Sequence, residues 1–149
     1  MTLIKSISGI RGTIGGKAGE NFTPVDIVRF TAAYGMWIRN NTKKKKMKVV
    51  VGRDARISGT IVSSLVNSTL LSLGIDVVDL GLSTTPTVEI AVTDENADGG
   101  IIVTASHNPK QWNALKLLNA KGEFVSDADG KEILHFTLDD SYYFSEVNA

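Results

Sequence analysis

The sequence predicts an α/β protein, a three-layer α/β/α sandwich built around a mostly parallel mixed sheet. The first observation is that segments with strand character alternate with segments of helical periodicity along all 149 residues. The second is that the strands are continuous runs of Val and Ile, as at residues 49–51 and 101–103. Such runs are typical of strands that are buried on both faces of a sheet. The length suffices for one domain with a substantial core.

The first elements follow from local signals. A short strand is predicted over residues 3–8, and a glycine-rich turn follows it. Thr23, Pro24 and Asp26 predict the start of a helix, since Thr can cap, Pro suits the first helical position and Asp has capping-box spacing. The helix ends near the lysine run 43–46, which we interpret as a solvated loop.

The remaining elements continue the alternation. A second helix is expected to be capped by Ser58 and closed by Gly74. Further strands are predicted at residues 48–51, 75–80, 101–104 and 114–118, and further helices from Thr85 and over residues 127–138. The aromatic residues 142–144 either pack back on the domain or lead to something beyond it. We therefore predict a domain over residues 1–140 and the start of a linker to a further, absent domain over residues 141–149.

Composition excludes several classes of function. Lys and Arg number 16 and Asp and Glu 16, whereas a nucleic-acid-binding domain normally carries a basic excess. The absence of cysteine excludes disulfides and thiolate metal sites. No apolar stretch has the length of a membrane span, and the amino terminus has no signal-peptide core. We expect a cytoplasmic protein with neither nucleic acid nor membrane as partner.

Three polar segments follow predicted strands: SGIRG, GRDARISG and TASHNPK. Ligands in open α/β sheets bind outside the carboxyl ends of the strands. Arginine suits oxyanions, and Gly12 beside Arg11 would let an anion approach the backbone. The sequence thus predicts an anion site on one rim of the sheet, with candidates Arg11, Arg53, Arg56, Ser106 and His107.

Each candidate also has a structural interpretation. Ser106 is an ordinary turn residue, and without a G-x-S-x-G elbow it is a poor hydrolase nucleophile. As a phosphoryl carrier it needs cations nearby, because phosphoserine carries nearly two negative charges. Lys116 either marks the exposed face of an apolar strand or points into a cleft. Arg53, Asp54 and Arg56 could instead form an ion-pair cluster that stiffens their loop.

As a set, these segments resemble the first domain of the α-D-phosphohexomutases, the phosphoglucomutase/phosphomannomutase family. TASHNP with the later Asn113 and Lys116 resembles the phosphoserine loop of that family. GRDARISG, GIRG, and Gly81-Leu82 with Thr85-Pro86 resemble three more of its motifs, in the same order. Two positions depart from the usual pattern: Ala114 stands where the family often has Gly, and Ser6-Ile7-Ser8 replaces a frequent Gly-Thr-Asp.

The resemblance implies roles for individual residues. Ser106 would be the phosphoserine and a ligand of Mg²⁺, while Lys116 would transfer protons. His107 would line the active-site cleft, and Arg11 would stabilise phosphate charge there. Most Mg²⁺ ligands would come from an Asp-Gly-Asp-x-Asp loop on a second domain, and this sequence contains no such loop.

The implied function is that of an intramolecular phosphotransferase. The chain would be the phosphoserine-bearing domain of an enzyme that interconverts hexose 1-phosphate and hexose 6-phosphate through a bisphosphate, and it would be inactive alone. Its partners would be the phosphosugar and the remaining domains of the enzyme. The alternative is a non-catalytic α/β module that binds phosphate or a phosphosugar. No residue of this sequence indicates which hexose is bound.

Overall fold

A computed structural model describes residues 1–6 and 9–146, and this part of the chain contains one sheet and four helices. The strands are β1 (Ile4–Ser6), β2 (Gly9–Thr13), β3 (Met47–Arg53), β4 (Ile75–Leu82), β5 (Gly99–Val103) and β6 (Trp112–Leu118). The helices are α1 (Pro24–Asn41), α2 (Gly59–Ser72), α3 (Thr85–Asp94) and α4 (Asp127–Asp139). None of these helices has the length and apolar character needed to cross a membrane.

The six strands form one mixed sheet in the order β1-β2-β6-β5-β3-β4. Strand β3 pairs in parallel with β4 and β5, whereas the β5–β6, β6–β2 and β2–β1 pairs are antiparallel. Strands β2, β3, β4 and β5 consequently point the same way. The carboxyl ends of β5 and β2 therefore lie at one edge of the sheet, together with the amino end of β6.

Helices cover both faces of the central strands. Val49 and Val51 of β3 belong to the core that includes residues of α1, α2 and α4. Val50, between them, packs on the other face with Val88 and Val92 of α3. Because successive strand residues face opposite sides, a fully apolar strand needs a helix layer on each side. The predicted α/β/α sandwich is confirmed.

Local signals at the helix starts had different outcomes. Helix α1 begins where predicted, and the Asp26 carboxylate accepts a hydrogen bond of 3.1 Å from the Thr23 N–H. Ser58 does precede α2, but the prediction that its side chain caps the helix is wrong. Its backbone is already helical (φ −72°, ψ −11°), whereas a capping hydroxyl normally sits on an extended residue. The Ser58 hydroxyl instead accepts a hydrogen bond of 2.9 Å from Asn113 Nδ2.

The amino-terminal prediction of one strand and a glycine-rich turn is wrong for GIRGT, although β1 does lie within the predicted strand. The GIRGT segment is itself strand β2, which pairs with β1 on one side and β6 on the other. Residues 7 and 8 of the predicted strand lie outside the described residues. A Cβ on Gly9 would lie 1.8 Å from the Leu115 carbonyl oxygen, so glycine is needed for the close approach of β2 to β6. Pairing with distant β6 makes this polar segment a strand, which local composition did not indicate.

The carboxyl-terminal segment returns to the domain. The Ser145 N–H donates to the Ser72 carbonyl oxygen at 2.8 Å, and the Arg39 guanidinium donates to the Tyr143 carbonyl oxygen at 3.1 Å. Tyr142 packs against the main core. Tyr142 thus follows the first alternative, whereas the side chains of Tyr143 and Phe144 are exposed. The division of the chain at residue 140 into a domain and a linker stays a prediction.

Candidate active site

The serine loop begins where β5 leaves the sheet. Strand β5 is buried along its whole length, Thr104 and Ala105 are still buried, and Ser106 is exposed. Ser106 has φ of +51°, a left-handed conformation that is uncommon for a residue other than glycine. Its N–H donates to Thr104 Oγ1 at 3.1 Å. The strand therefore ends in a tight turn with the serine at the sheet edge.

Lys116 reaches this serine from the middle of β6. It lies opposite Ile102 of β5 on one side and Gly9 of β2 on the other. Leu115 and Leu117 belong to the main core, so the half-buried Lys116 lies on the opposite face of the sheet. Helix α3 packs on that face mainly over β3 and β5. The Lys116 ammonium donates a hydrogen bond to Ser106 Oγ, which places a positive charge beside the serine hydroxyl.

Arg11 lies on the neighbouring strand. It pairs with Ala114, two residues before Lys116, and is exposed on the same face. Arg11 and Lys116 line a cavity of about 220 Å³ together with Ser6, Gly9 and Ala114. Two cations thus share one small concave site. His107 follows Ser106 in the loop and is exposed.

Gly12 does not have the role that the sequence suggested. It is buried, and a Cβ at this position would come within 3.1 Å of the Phe22 Cβ and 3.2 Å of the Phe22 nitrogen. This glycine therefore permits close packing of β2 against the segment before α1. Approach of an anion to the Gly12 backbone finds no support in this geometry.

Arg56 is committed to the backbone of the serine loop. Its guanidinium donates to the carbonyl oxygens of Ser106, Asn108, Pro109 and Trp112 over 2.7 to 3.2 Å, and its Nε donates to Asp54 at 3.2 Å. These contacts fit the ion-pair alternative for GRDARISG and not the anion-binding one. The Arg53 guanidinium donates to the Asp54 carbonyl oxygen at 3.3 Å.

Sequence reasoning quoted Thr104 and Asn113 within motifs but gave no role to either residue, although both shape the site. Thr104 accepts from the Ser106 N–H and donates from its hydroxyl to Asp54 Oδ2 at 2.6 Å. Asn113 is fully buried and connects β6 to Ser58 at the start of α2. A polar residue immediately after a buried strand was the available signal for Thr104. No local pattern indicates the partner of Asn113, because Ser58 is 55 residues away.

Comparison with known proteins decides the family. The sequence model of the family described as "Phosphoglucomutase/phosphomannomutase, alpha/beta/alpha domain I" matches residues 3–143. The chain belongs to the phosphoglucomutase/phosphomannomutase family. The resemblance drawn from the TASHNP, GRDARISG and GIRG segments is thereby confirmed.

Curated relatives carry names of the same family. The chain is 42% identical over 113 residues to a phosphoglucomutase/phosphomannomutase of Thermococcus kodakarensis, which covers 74% of this chain and 25% of the relative. It is 33% identical over 142 residues to a phosphoglucosamine mutase of Helicobacter pylori, which covers 94% of this chain and 32% of the relative. The chain thus spans between a quarter and a third of the length of these relatives.

Solved structures share the fold. A crystal structure from Thermus thermophilus, provisionally named a phosphomannomutase, superposes with a TM-score of 0.80 at 29% identity. The match covers 92% of this chain and 30% of that one. A Burkholderia thailandensis structure of the phosphoglucomutase/phosphomannomutase family superposes with a TM-score of 0.76 at 24% identity and supports the fold alone.

The residues of this phosphoglucomutase/phosphomannomutase domain do not by themselves fit a bound Mg²⁺. The cation prefers several oxygen ligands, usually carboxylates or phosphates. Ser106 offers one hydroxyl, and the Lys116 ammonium already contacts it. The nearby Asp54 carboxylate is bonded to Arg56 and Thr104. Within residues 1–6 and 9–146, no three His, Asp or Glu side chains are grouped as metal ligands would be.

Proposed function

We propose that this chain is the phosphoserine-bearing domain of a phosphohexomutase, with Ser106 as the phosphoryl carrier. The enzyme would interconvert hexose 1-phosphate and hexose 6-phosphate through a bisphosphate intermediate. The observation that carries the proposal is the contact between the Lys116 ammonium and Ser106 Oγ at the carboxyl edge of the sheet. Family membership supports the reaction type, since the relatives are named as mutases of phosphosugars.

The proposed reaction has two phosphoryl transfers. In the first, the 6-hydroxyl oxygen of hexose 1-phosphate attacks the phosphorus on Ser106. The P–Oγ bond breaks, the P–O6 bond forms, and the hydroxyl proton ends on Ser106 Oγ. In the second, Ser106 Oγ attacks the 1-phosphate of the bisphosphate, the P–O1 bond breaks and the serine proton passes to O1. The sum is hexose 6-phosphate and regenerated phosphoserine.

The side chains around Ser106 suit this chemistry. Phosphoryl transfer asks a protein mainly for positioning and for positive charge near the transferred group. Lys116 contacts Oγ directly, so it is placed to stabilise a phosphate there and to relay the proton. Arg11 lines the adjacent cavity and would bind phosphate oxygens. His107, next in the exposed loop, is proposed as a further cleft residue.

Other parts of the enzyme are needed under this proposal. Mg²⁺, when bound, would neutralise charge on the transferred phosphoryl group. Because the described residues lack a carboxylate cluster, its ligands other than the Ser106 phosphate would come from outside this chain. This chain covers only 25% and 32% of the two relatives' lengths, and the residues that read the sugar would also lie on their other domains. The isolated chain should therefore be inactive, because catalysis needs all reacting groups positioned together.

The test is the conversion of a hexose 1-phosphate by three samples: the full-length protein that carries this chain, its Ser106→Ala variant and the 149-residue chain. We expect Ser106→Ala to lower the rate at least about a thousandfold, since removing a covalent carrier removes its pathway. Mass spectrometry should find phosphate on Ser106 of the active protein. In a Lys116→Met variant the rate of conversion should fall about a hundredfold, as expected for a group that transfers protons.

The outcomes separate the alternatives. Normal turnover by the 149-residue chain would refute the proposal that other domains are required. An unimpaired Ser106→Ala variant would refute the phosphoserine assignment. Tight binding of hexose phosphate by a full-length protein that is neither phosphorylated nor active would favour the non-catalytic phosphosugar-binding module.

A further inference from the structure

We propose that Arg56 is a positioning residue that holds Ser106 in its reactive orientation, an inference that rests on the function proposed for Ser106. Arg56 acts on the serine loop through backbone carbonyl groups and has no contact with Ser106 Oγ in the described structure. Together with Asp54 and Thr104 it forms a clamp, defined here as the hydrogen-bonded network that ties both backbone polar groups of Ser106 to the GRDARISG loop.

The guanidinium of Arg56 is fully used by this clamp. Arginine has five N–H donors in a rigid planar fork. Nη2 donates to the carbonyl oxygens of Ser106 and Asn108, both at 2.8 Å. Nη1 donates to those of Pro109 at 2.7 Å and Trp112 at 3.2 Å, and Nε donates to Asp54. With all five donors engaged, Arg56 would have to abandon loop contacts in order to bind phosphate.

Hydrogen bonds connect both backbone polar groups of Ser106 to one ion pair, Arg56–Asp54. The Ser106 carbonyl is held by Arg56 directly. The Ser106 N–H donates to Thr104 Oγ1, whose hydroxyl donates to the Asp54 oxygen that also accepts from Arg56. With the peptide groups on both sides fixed, the left-handed backbone of Ser106 is fixed as well. The direction of its Cα–Cβ bond, and hence of Oγ, follows.

Apolar packing does not supply this restraint. Ser106, His107, Pro109 and Lys110 are all exposed, so the loop has little core of its own. The side chain of Arg56, in contrast, is only 12% exposed. Charge-assisted hydrogen bonds strengthen when water is excluded. The clamp therefore takes the place that a hydrophobic core has elsewhere in the domain.

The experiment compares Arg56→Lys with Arg53→Lys in the full-length protein. Lysine keeps the charge but presents a single ammonium with three donors, so it cannot reproduce the five-donor fork. Arg53 is the matched control, because it lies in the same segment and makes one backbone contact of 3.3 Å. The readouts are hydrogen exchange of peptides covering residues 104–112, and kcat and KM for a hexose 1-phosphate.

We expect Arg56→Lys to speed hydrogen exchange in the serine loop at least about tenfold, because the loop would then open locally and more often. We expect kcat to fall about a hundredfold with KM within about threefold, since a small displacement of the reacting atom is costly. Arg53→Lys should change neither readout by more than about threefold. Thr104→Val removes the hydrogen bonds that link the Ser106 N–H to Asp54 and leaves Arg56 in place. It should lower kcat about tenfold, and it keeps the test open if Arg56→Lys fails to fold.

Several results would overturn the proposal. One is unchanged loop exchange and kcat in Arg56→Lys or, if that variant does not fold, in Thr104→Val. Another is an equal effect of Arg53→Lys. A rise in KM at constant kcat would make Arg56 a substrate ligand. Failure of the proposed function can be told apart from failure of the clamp. An active Ser106→Ala variant would refute the carrier role of Ser106, whereas hydrogen exchange in the loop would still test whether Arg56 holds it.

Discussion

The two ends of strand β5 are built in opposite ways. At the amino end, a Cβ on buried Gly99 would collide with side chains of helix α1, and a Cβ on buried Gly100 would collide with Val92 of α3. At the carboxyl end, the strand releases Ser106 into an exposed loop that charged hydrogen bonds hold in a left-handed conformation. The amino end of this five-residue strand is thus densely packed, whereas the loop at its carboxyl end is sparsely packed.

Tyr34 closes the amino end. Its hydroxyl accepts from the Gly100 N–H at 2.9 Å and donates to the Leu118 carbonyl oxygen, two residues that pair across β5 and β6. A Cβ on Gly99 would lie 2.1 Å from this hydroxyl. Burial raises the pKa of Tyr34 far above its usual value, and the Gly100 contact opposes this only in part. Tyr34 therefore stays neutral and serves as a structural link between helix and sheet.

The difference shows how stability and function are divided along one strand. Apolar contacts at the amino end fix the position of β5 without restricting the chemistry at its other end. The carboxyl end keeps polar groups accessible and accepts an unfavourable backbone conformation, as functional sites often do. We expect substitutions at the amino end to change mainly the free energy of unfolding, and those at the carboxyl end to change mainly the rate of reaction.

The largest effect on stability is expected for Gly99→Ala. The added methyl group would collide with the Tyr34 hydroxyl at 2.1 Å, Ile38 Cδ1 at 2.9 Å and the Leu118 carbonyl oxygen at 3.0 Å. Overpacking of this kind costs about 2–3 kcal/mol. Urea unfolding of the 149-residue chain measures it. In the Tyr34→Phe background the same substitution should cost less, and an equal cost there would contradict the assigned collision.

A smaller effect is expected for Tyr34→Phe. This change leaves the Gly100 N–H without the hydroxyl that accepts from it, which should cost about 1–2 kcal/mol near neutral pH. The raised pKa adds a pH dependence, because the unfolded tyrosine ionises near pH 10 while the folded one stays protonated. Its contribution is fully present below about pH 10 and is lost as pH rises beyond it.

The measurement is the free energy of unfolding of the 149-residue chain and its Tyr34→Phe variant between about pH 7 and 11. The variant should lose less stability than the unmodified chain above about pH 10. Identical slopes for the two proteins would mean that Tyr34 ionises as easily in the folded state as in the unfolded one.

The smallest effect on stability is expected at the other end, for Ser106→Gly. Glycine adopts the left-handed conformation without the steric cost that Ser106 bears, although it also loses more freedom on folding. The variant should be as stable as the unmodified chain or up to about 1 kcal/mol more stable, and more stable than Ser106→Ala. Thermal unfolding of the three chains measures this, and a Gly variant less stable than the Ala variant would show that φ at this position is not strained.

How much could be predicted from the sequence depends on the range of the interactions involved. The starts of α1 and α3 depend on Thr-Pro pairs and on polar side chains within three residues, and both helices begin as predicted. The buried strands β3 and β5 could be predicted because they contain runs of Val and Ile, which are typical of strands covered on both faces. The GIRGT segment, in contrast, lies as a strand between β1 and the distant β6, about a hundred residues later.

The same holds for the site, where the sequence indicated the candidate residues but not the contacts between them. Ser106, His107, Lys116 and Arg11 were identified as candidates from loops, cations and a family resemblance, and their catalytic roles stay predictions. The contact between Lys116 and Ser106 depends on the antiparallel return of β6 beside β5. The sequence could not distinguish Arg56, which holds the loop, from Arg11, which lines the cavity, because both are arginines in short polar segments that contain glycine.

By itself, the sequence determined the α/β/α fold class, the order of most elements and the family, because these depend on apolar runs, helix caps and motifs that are local in the chain. Only the tertiary structure decided which cations face the serine and which are bonded to backbone. That outcome depends on strand order and register, which place Arg56 and Lys116 in contact with Ser106 and Arg11 beside Lys116. Hydrogen bonds between residues so far apart in the chain produce no periodic pattern in the sequence. Their partners can therefore be identified only from the assembled sheet.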